Sequence, residues 1–296
     1  MIIDTQLSAA TSFGLLVDFI EQDEQLHRSG TQLKPKSKNG WYIAYSDFLI
    51  MGDWQTGITE TFKPGSHQQT RLDSQRIKQA IERQRKEKAL LQAQAAIYAQ
   101  DVYQNASPVA VHPYLTHKGL DTAEGLKLDK NQLLIPLYDL VSGKVENLQR
   151  IFPDGAKRFL KNGRITGLCC PCGLLNMQSD WPEQLTKVFI CEGYATAASV
   201  YQITHQPVLA AMNAGNLSPV AKLAKKKWPN IEIVIAGDDD YLTEQSTGIN
   251  PGKAKATEAA NLLGLQVSFP PFTLEHKRAG LTDWNDYFSI TRSVAA

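Results

Sequence analysis

The chain has 296 residues, 43% of them apolar and 21% charged, too apolar for a disordered tail and long enough for about two domains with cores. A formal net charge of +1 excludes a uniformly basic nucleic-acid coat protein but not a local basic patch. No run approaches the roughly 18 apolar residues of a membrane helix, residues 1–10 carry Asp4 and no basic stretch that would suit a signal peptide, and four cysteines, three of them Cys169, Cys170 and Cys172, do not make a disulfide framework. The expectation is a soluble, cytoplasmic α/β protein with no membrane partner.

Residues 1–66 read as a small α+β module. Phe13, Leu16, Val17 and Ile20 recur at helical spacing and predict an amphipathic first helix. After a turn rich in Gly, Lys, Pro and Ser over 30–40, the aromatic-rich runs 41–45 and 48–51 predict a hairpin broken at Ser46 and Asp47, and 52–57 a turn. Residues 67–106 read as a long helical connector, because 70–105 contain no Pro or Gly and are dominated by strong helix formers. Within 71–88 seven cations stand against three acids, which suits either a solvated face or an arm contacting phosphates.

Residues 107–184 predict short strands and turns: a strand over 133–138, a turn at Ser142-Gly143-Lys144 into a strand over 145–151, and a turn at Pro153-Asp154-Gly155. The last segment, 185–296, alternates strands (187–191, 207–212, 231–236, 265–269) with helices (to about 205, 217–228, 252–263). That alternation implies a mostly parallel sheet with helices on its faces, whose ligands gather at the carboxyl ends of the strands.

Acidic residues stand at two of those ends. Glu192 follows the strand ending at Cys191, and Asp238, Asp239 and Asp240 follow the one ending at Ala236. Crowded carboxylates raise one another's pKa unless a cation is present, and a hard divalent ion such as Mg2+ prefers carboxylate oxygens. In an extended stretch Asp238 and Asp240 leave the same side and Asp239 points away; alternatively the three form an acidic cap for the next helix. Asp283-Trp284-Asn285-Asp286 either folds back beside them or caps the last helix.

In this order, Glu192-Gly193 after one apolar strand and Asp238-x-Asp240 after another resemble the TOPRIM domain shared by bacterial-type primases, topoisomerases and some nucleases. Longer strings resemble the TOPRIM primases of conjugative plasmids and phages: 190–197, 213–217, 236–240, 250–254 and 282–286, with 148–155 and 157–160 upstream. The resemblance implies an α/β, Rossmann-like fold with a mostly parallel sheet flanked by helices. It implies that Asp238 and Asp240 hold divalent metal (Mg2+ or Mn2+), that Glu192 ligates metal or acts as general acid/base, and that Asp283 is a further ligand. It also implies that the chain makes short RNA primers by nucleotidyl transfer from ribonucleoside triphosphates on a single-stranded DNA template, for plasmid, phage or mobile-element replication. The alternatives are a TOPRIM nuclease using the same acids and a non-catalytic single-strand-binding replication accessory protein.

Arg150, Lys157, Arg158, Lys161 and Arg164 concentrate around Pro153-Asp154-Gly155 and read either as surface charge or as contacts to triphosphate or template. Lys253 opens a helix that either binds a phosphate or simply starts there. Two features depart from the family. Residues 1–66 hold no cysteine and cannot build a zinc ribbon, and Cys169-Cys170-Pro171-Cys172, even with His112 or His117, reads as buried thiols rather than zinc ligands. Trp41, Tyr42 and Trp54 form either a small core or a stacking surface for single-stranded DNA. No Walker motif is present, so a replicative helicase is expected as a separate chain.

Overall fold

A computed structural model describes residues 2–63, 71–120, 123–173 and 186–295. The expected helix start at Thr70 and the ends of two expected segments, 64–66 and 174–184, lie outside the described residues. Contacts divide the chain into two compact units, Met1–Ile81 and Glu82–Ala296.

The first unit contains α1 (Ile2–Phe13) and five strands, β1 (Leu15–Leu16), β2 (His27–Thr31), β3 (Gly40–Ala44), β4 (Leu49–Asp53) and β5 (Thr59–Phe62). They form an antiparallel sheet in chain order. The expected hairpin is β3–β4. Alternation sends Tyr42, Ala44, Leu49 and Met51 into a core with Ala10 and Leu15, and Ile43 and Ile50 into another with Tyr45 and Phe48. The first helix lies earlier than the spacing predicts. It ends at Phe13, Leu15–Leu16 pairs with β2 as an edge strand, and Val17 and Ile20 reach the same core from a loop. The apolar spacing marked membership of one core, which irregular backbone satisfies as well as a helix does.

The unit boundary falls within α2 (Arg71–Asn105), the long helix the composition predicts. Every described side chain between 78 and 91 is exposed, Ile81, Leu90 and Leu91 among them, so that stretch buries no face. Further on, Ala95 and Ala99 are buried at a spacing of four, and Ala99 packs with Leu134, Val145 and Leu148. In the described residues the second unit continues with β6 (Ser107–Pro108), α3 (Pro113–His117), β7 (Lys127–Asp129), β8 (Gln132–Asp139), β9 (Val145–Ile151), β10 (Lys157–Phe159) and β11 (Leu168–Cys172). There follow β12 (Lys187–Cys191), α4 (Tyr194–Thr204), β13 (Val208–Ala210), α5 (Leu217–Lys227), β14 (Glu232–Ala236), α6 (Tyr241–Thr247), α7 (Pro251–Leu263), β15 (Gln266–Ser268), α8 (Leu274–Arg278) and α9 (Trp284–Ala295).

All these strands belong to one sheet with the path β10-β9-β8-β11-β13-β12-β14-β15. β13, β12, β14 and β15 are parallel, as the alternation predicts. β11 runs antiparallel to β8 on one side and to β13 on the other, joining an antiparallel half to the parallel half. The three inner parallel strands, β13, β12 and β14, are largely apolar on both faces, as strands covered on both sides must be, whereas the edge strand β15 is Gln266-Val267-Ser268. Val188, Ile190, Ile233 and Ile235 pack with α5 and α7, while Cys191 and Ala236 pack with α4. This is the α/β fold with helices on both faces that the sequence predicts. Asn216 stitches the halves together. It accepts the Gly167 N–H (2.7 Å), and its amide nitrogen reaches the carbonyls of Leu168 (2.8 Å), Ala211 (2.7 Å) and Ile165 (3.1 Å).

The four cysteines are free and buried. Cys169 faces the core beneath α5, and Cys170, Cys172 and Cys191 face the core beneath α4. Burial pushes all four thiols up, Cys172 to about 12. His112 uses Nδ1 to accept the Tyr114 N–H at 3.2 Å and so caps α3. Among the described residues, no helix is long and apolar enough to cross a membrane.

Candidate functional site

β12 lies between β13 and β14, so the strand order reverses at it, the place where parallel α/β sheets open a crevice. Cys191 and Ala236 are in register, which brings Glu192 and Asp238 out at the same sheet edge. Glu192 sits just before Gly193, the N-cap of α4, and accepts the backbone N–H of Ala214. Burial and the neighbouring Asp240 push its carboxyl up, against that hydrogen bond and Lys157.

Asp238 is the most perturbed of the acids. Burial, then the charges of Asp283, Glu192 and Asp240, push it up to about 8, and its buried Oδ1 has no hydrogen-bond partner. Asp239 points the other way, as alternation predicts. It is 1% exposed and paired with Lys253 and Lys277, each at 2.9 Å, and it accepts the Asn250 amide at 2.9 Å. Burial opposes its ionisation, but these partners outweigh it and hold its carboxyl below the usual range.

Asn250 fixes the loop. Its Oδ1 accepts the N–H groups of Asp240 (3.0 Å) and Lys253 (3.1 Å), and its amide also donates to Glu244 at 3.0 Å. Asp240 Oδ2 accepts the Gly252 N–H at 2.8 Å. A Cβ on Gly252 would stand 2.7 Å from the Asp238 carbonyl oxygen, so only glycine lets α7 close on this loop. The start of α7 is therefore occupied by Asp240 and Asn250, and Lys253, expected on a nucleotide, is committed to Asp239.

Asp283 satisfies both sequence alternatives. Its Oδ1 accepts the Asp286 N–H at 2.8 Å, while Asp286 Oδ2 accepts the Asp283 N–H at 3.3 Å, a reciprocal cap for α9. It also joins the acidic group: Oδ2 lies 3.5 Å from the Thr196 hydroxyl, and burial together with Asp286 raises its pKa. Among the described residues, the trio whose ligand atoms all lie within 4.8 Å of one another is elsewhere, Glu21, Asp23 and His27 in the first unit.

The basic residues separate into two groups. Lys157, on β10, donates to Tyr114 Oη at 3.4 Å, with its ammonium 4.9 Å from the ring centroid. Desolvation and Lys118 lower its pKa, opposed by Asp283 and Glu192, so this cation faces the acids. Arg158 lies over Phe152 at 5.4 Å, and both it and Lys161 are exposed. Arg150 is drawn to Tyr98, whose hydroxyl accepts at 3.2 Å. Arg164 is committed inside the unit, with NH2 2.6 Å from Asp139 and paired to Glu146, and Nε donating to Glu146 at 3.0 Å. Sequence reasoning missed Tyr114, Lys118, Lys277 and the clamping role of Asn250. Tyr114, whose hydroxyl accepts the Ala195 N–H at the start of α4, carries no local signal at all. Asn250 does carry one, as an N-cap residue before Pro251.

Residues 187–292 match the family described as Toprim domain. This part of the chain is a Toprim domain. Its sheet edge carries Glu192 after β12 and Asp238 and Asp240 after β14. Over 84% of its length the chain is similar to a DNA primase TraC of Escherichia coli, 32% identical over 265 residues that make up 24% of that protein. A second DNA primase TraC of Escherichia coli is 38% identical over 162 residues, 54% of this chain and 11% of that one. The chain thus spans about a quarter of the first relative's length and about a tenth of the second's. Among solved structures, the primase fragment of the bacteriophage T7 primase-helicase protein aligns with a TM-score of 0.43 at 14% identity, covering 64% of this chain and 76% of that one. A DNA primase domain from Pseudomonas aeruginosa aligns with a TM-score of 0.40 at 14% identity, over 59% of this chain and 70% of that one.

Proposed function

We propose that the chain carries the catalytic part of a DNA primase, which joins ribonucleoside triphosphates into short RNA primers on single-stranded DNA for plasmid, phage or mobile-element replication. The observation that carries this reading is the acidic crevice of the Toprim domain, with the buried, unpartnered Asp238 Oδ1 among Glu192, Asp240 and Asp283. The names of the two curated relatives agree with it.

An all-oxygen donor set crowded enough to raise its own pKa values fits a hard divalent cation, Mg2+ or Mn2+. Glu192, Asp238, Asp240 and Asp283 would hold it, and when bound it would lower the pKa of the attacking 3′ hydroxyl and offset charge on the phosphoryl group. The remaining tasks fall to the chain's own side chains. Glu192, whose carboxyl burial and Asp240 push up, is suited to take up and return a proton at the crevice. Lys157, braced on Tyr114 and facing the acids, supplies a cation for triphosphate or template, with Arg158 and Lys161 exposed beside it. Arg150, bound to Tyr98, lines the same hairpin on β9. Arg164 and Lys253 act differently, holding Asp139 with Glu146, and Asp239, respectively. Residues 1–66, which hold no cysteine, form a module ahead of the 67–106 connector. A replicative helicase is a candidate partner, in the cytoplasm.

Incubation with single-stranded DNA, labelled ribonucleotides and Mg2+ or Mn2+ tests the reading. Labelled oligoribonucleotides support a primase. A shortened template identifies a nuclease, and neither product identifies an accessory binding protein.

A further inference from the structure

The first unit carries a surface that the Toprim chemistry does not use. Residues 28–41 contain Arg28, Lys34, Lys36 and Lys38 and no acid. All four cations are exposed, and among the described residues the three lysines are in no ion pair. The loop bearing them is built rather than loose: Ser37 N–H and Oγ both donate to the Lys34 carbonyl, at 3.1 and 2.8 Å.

Aromatic rings share this surface. Trp54, 45% exposed, stacks on Trp41 with ring centroids 6.0 Å apart and planes 24° from parallel. The Arg28 guanidinium lies 4.5 Å from the Trp54 ring centroid. Two backbone carbonyls tie the rings to the basic loop: Arg28 Nε donates to Lys38 O at 3.1 Å, and Trp54 N–H donates to Asn39 O at 3.0 Å. Trp41 lies across Gly52, its partner in register on β4, where a Cβ would stand 2.6 Å from the indole. Replacing that glycine would push Trp41, and with it the stack, off the sheet.

The charges of this sheet are segregated by face. Arg28 pairs with Trp41 across β2 and β3, while the adjacent His27 pairs with and stacks on Tyr42, on the α1 side. The acids Glu21 and Asp23 gather around His27. On the opposite face, Arg28, Trp41 and Trp54 lie at one end, beside the buried Ile43, Tyr45, Phe48 and Ile50.

A row of cations beside exposed, stacked aromatics is the chemistry that holds a nucleic-acid single strand: phosphates meet the ammonium groups and unpaired bases extend the stack. A duplex offers the phosphates but keeps its bases stacked within itself. We infer that Trp54, Trp41 and Arg28, with Lys34, Lys36 and Lys38, form a binding surface for single-stranded DNA on the first unit. Its residues belong to a different unit from the acidic residues, and its binding needs no divalent metal.

The test measures binding of a short, labelled oligothymidylate by fluorescence anisotropy, using the full chain in EDTA over a range of salt concentrations. Trp54→Ala should weaken binding about tenfold and Trp54→Phe, which keeps a stacking ring, much less. The triple variant Lys34→Gln, Lys36→Gln, Lys38→Gln should flatten the slope of log affinity against log salt by about two. Because EDTA removes metal-dependent synthesis from the measurement, a chain that makes no primers can still pass, and one that does can still fail. Circular dichroism confirms that each variant is folded. The inference is overturned if wild-type protein does not bind, if Trp54→Ala and the triple variant bind as wild type does, if Trp54→Phe loses as much as Trp54→Ala, or if duplex DNA competes equally.

Discussion

Asp238 and Asp239 are consecutive residues held in opposite charge states. Asp238, buried among Asp283, Glu192 and Asp240, is pushed up to about 8 and keeps its proton at neutral pH. Asp239 is held ionised by Lys253 and Lys277. The alternation of side chains along the loop after β14 separates them, one into the crevice and the other into the packing of α7 and α8.

The raised pKa of Asp238 makes stability depend on pH. Between about pH 4 and about pH 8 the folded state retains a proton that the unfolded chain releases, so this residue's contribution is full below the lower value and is lost as pH rises to the upper one. In EDTA, Asp238→Asn should therefore stabilise the protein by an amount that grows across that window and levels off above it. The gain should reach a few kcal/mol, since one pKa unit is worth about 1.4 kcal/mol. Urea unfolding at a series of pH values measures it, and a gain independent of pH would contradict the assignment.

Basic residues close together in sequence should behave differently. Arg164 is engaged with Asp139 and Glu146, so Arg164→Gln should cost about 2–3 kcal/mol of stability and leave the salt dependence of single-strand binding unchanged. The double variant Arg158→Glu, Lys161→Glu, at two exposed positions, should do the reverse, weakening binding and flattening its salt slope by at least about one while leaving the urea midpoint nearly in place. Unfolding and binding titrations on the same preparations separate the two.

Asn216→Leu should destabilise the second unit by about 2–4 kcal/mol, because it leaves the Gly167 N–H and the carbonyls of Ala211 and Leu168 unpaired where the two halves of the sheet join. A shift of the urea midpoint with an unchanged slope is the expected result.

The parallel half of the sheet was legible because its inner strands are apolar on both faces and each strand is followed by a helix in short units. The β3–β4 hairpin and α2 were legible for equally local reasons, an aromatic run broken by two polar residues and a stretch without Gly or Pro. β2 was not, since His27-Arg28-Ser29-Gly30-Thr31 carries no apolar period and is a strand through its neighbours. The joining role of β11 was hidden too, because pairing with both β8 and β13 is a long-range event. Within the site, Glu192, Asp238 and Asp240 follow strands and can be read in order. Tyr114 and Lys118 reach the site through tertiary packing alone, and the commitments of Arg164 and Lys253 depend on acids distant in sequence or on another face.

The central claim is that the acidic crevice of the Toprim domain performs nucleotidyl transfer, and primer synthesis by wild type and Asp238→Asn side by side tests it most directly. With single-stranded DNA, labelled ribonucleotides and Mg2+ or Mn2+, the wild type should yield short labelled RNA and the folded variant none. Labelled primers from Asp238→Asn at the wild-type rate would contradict the account.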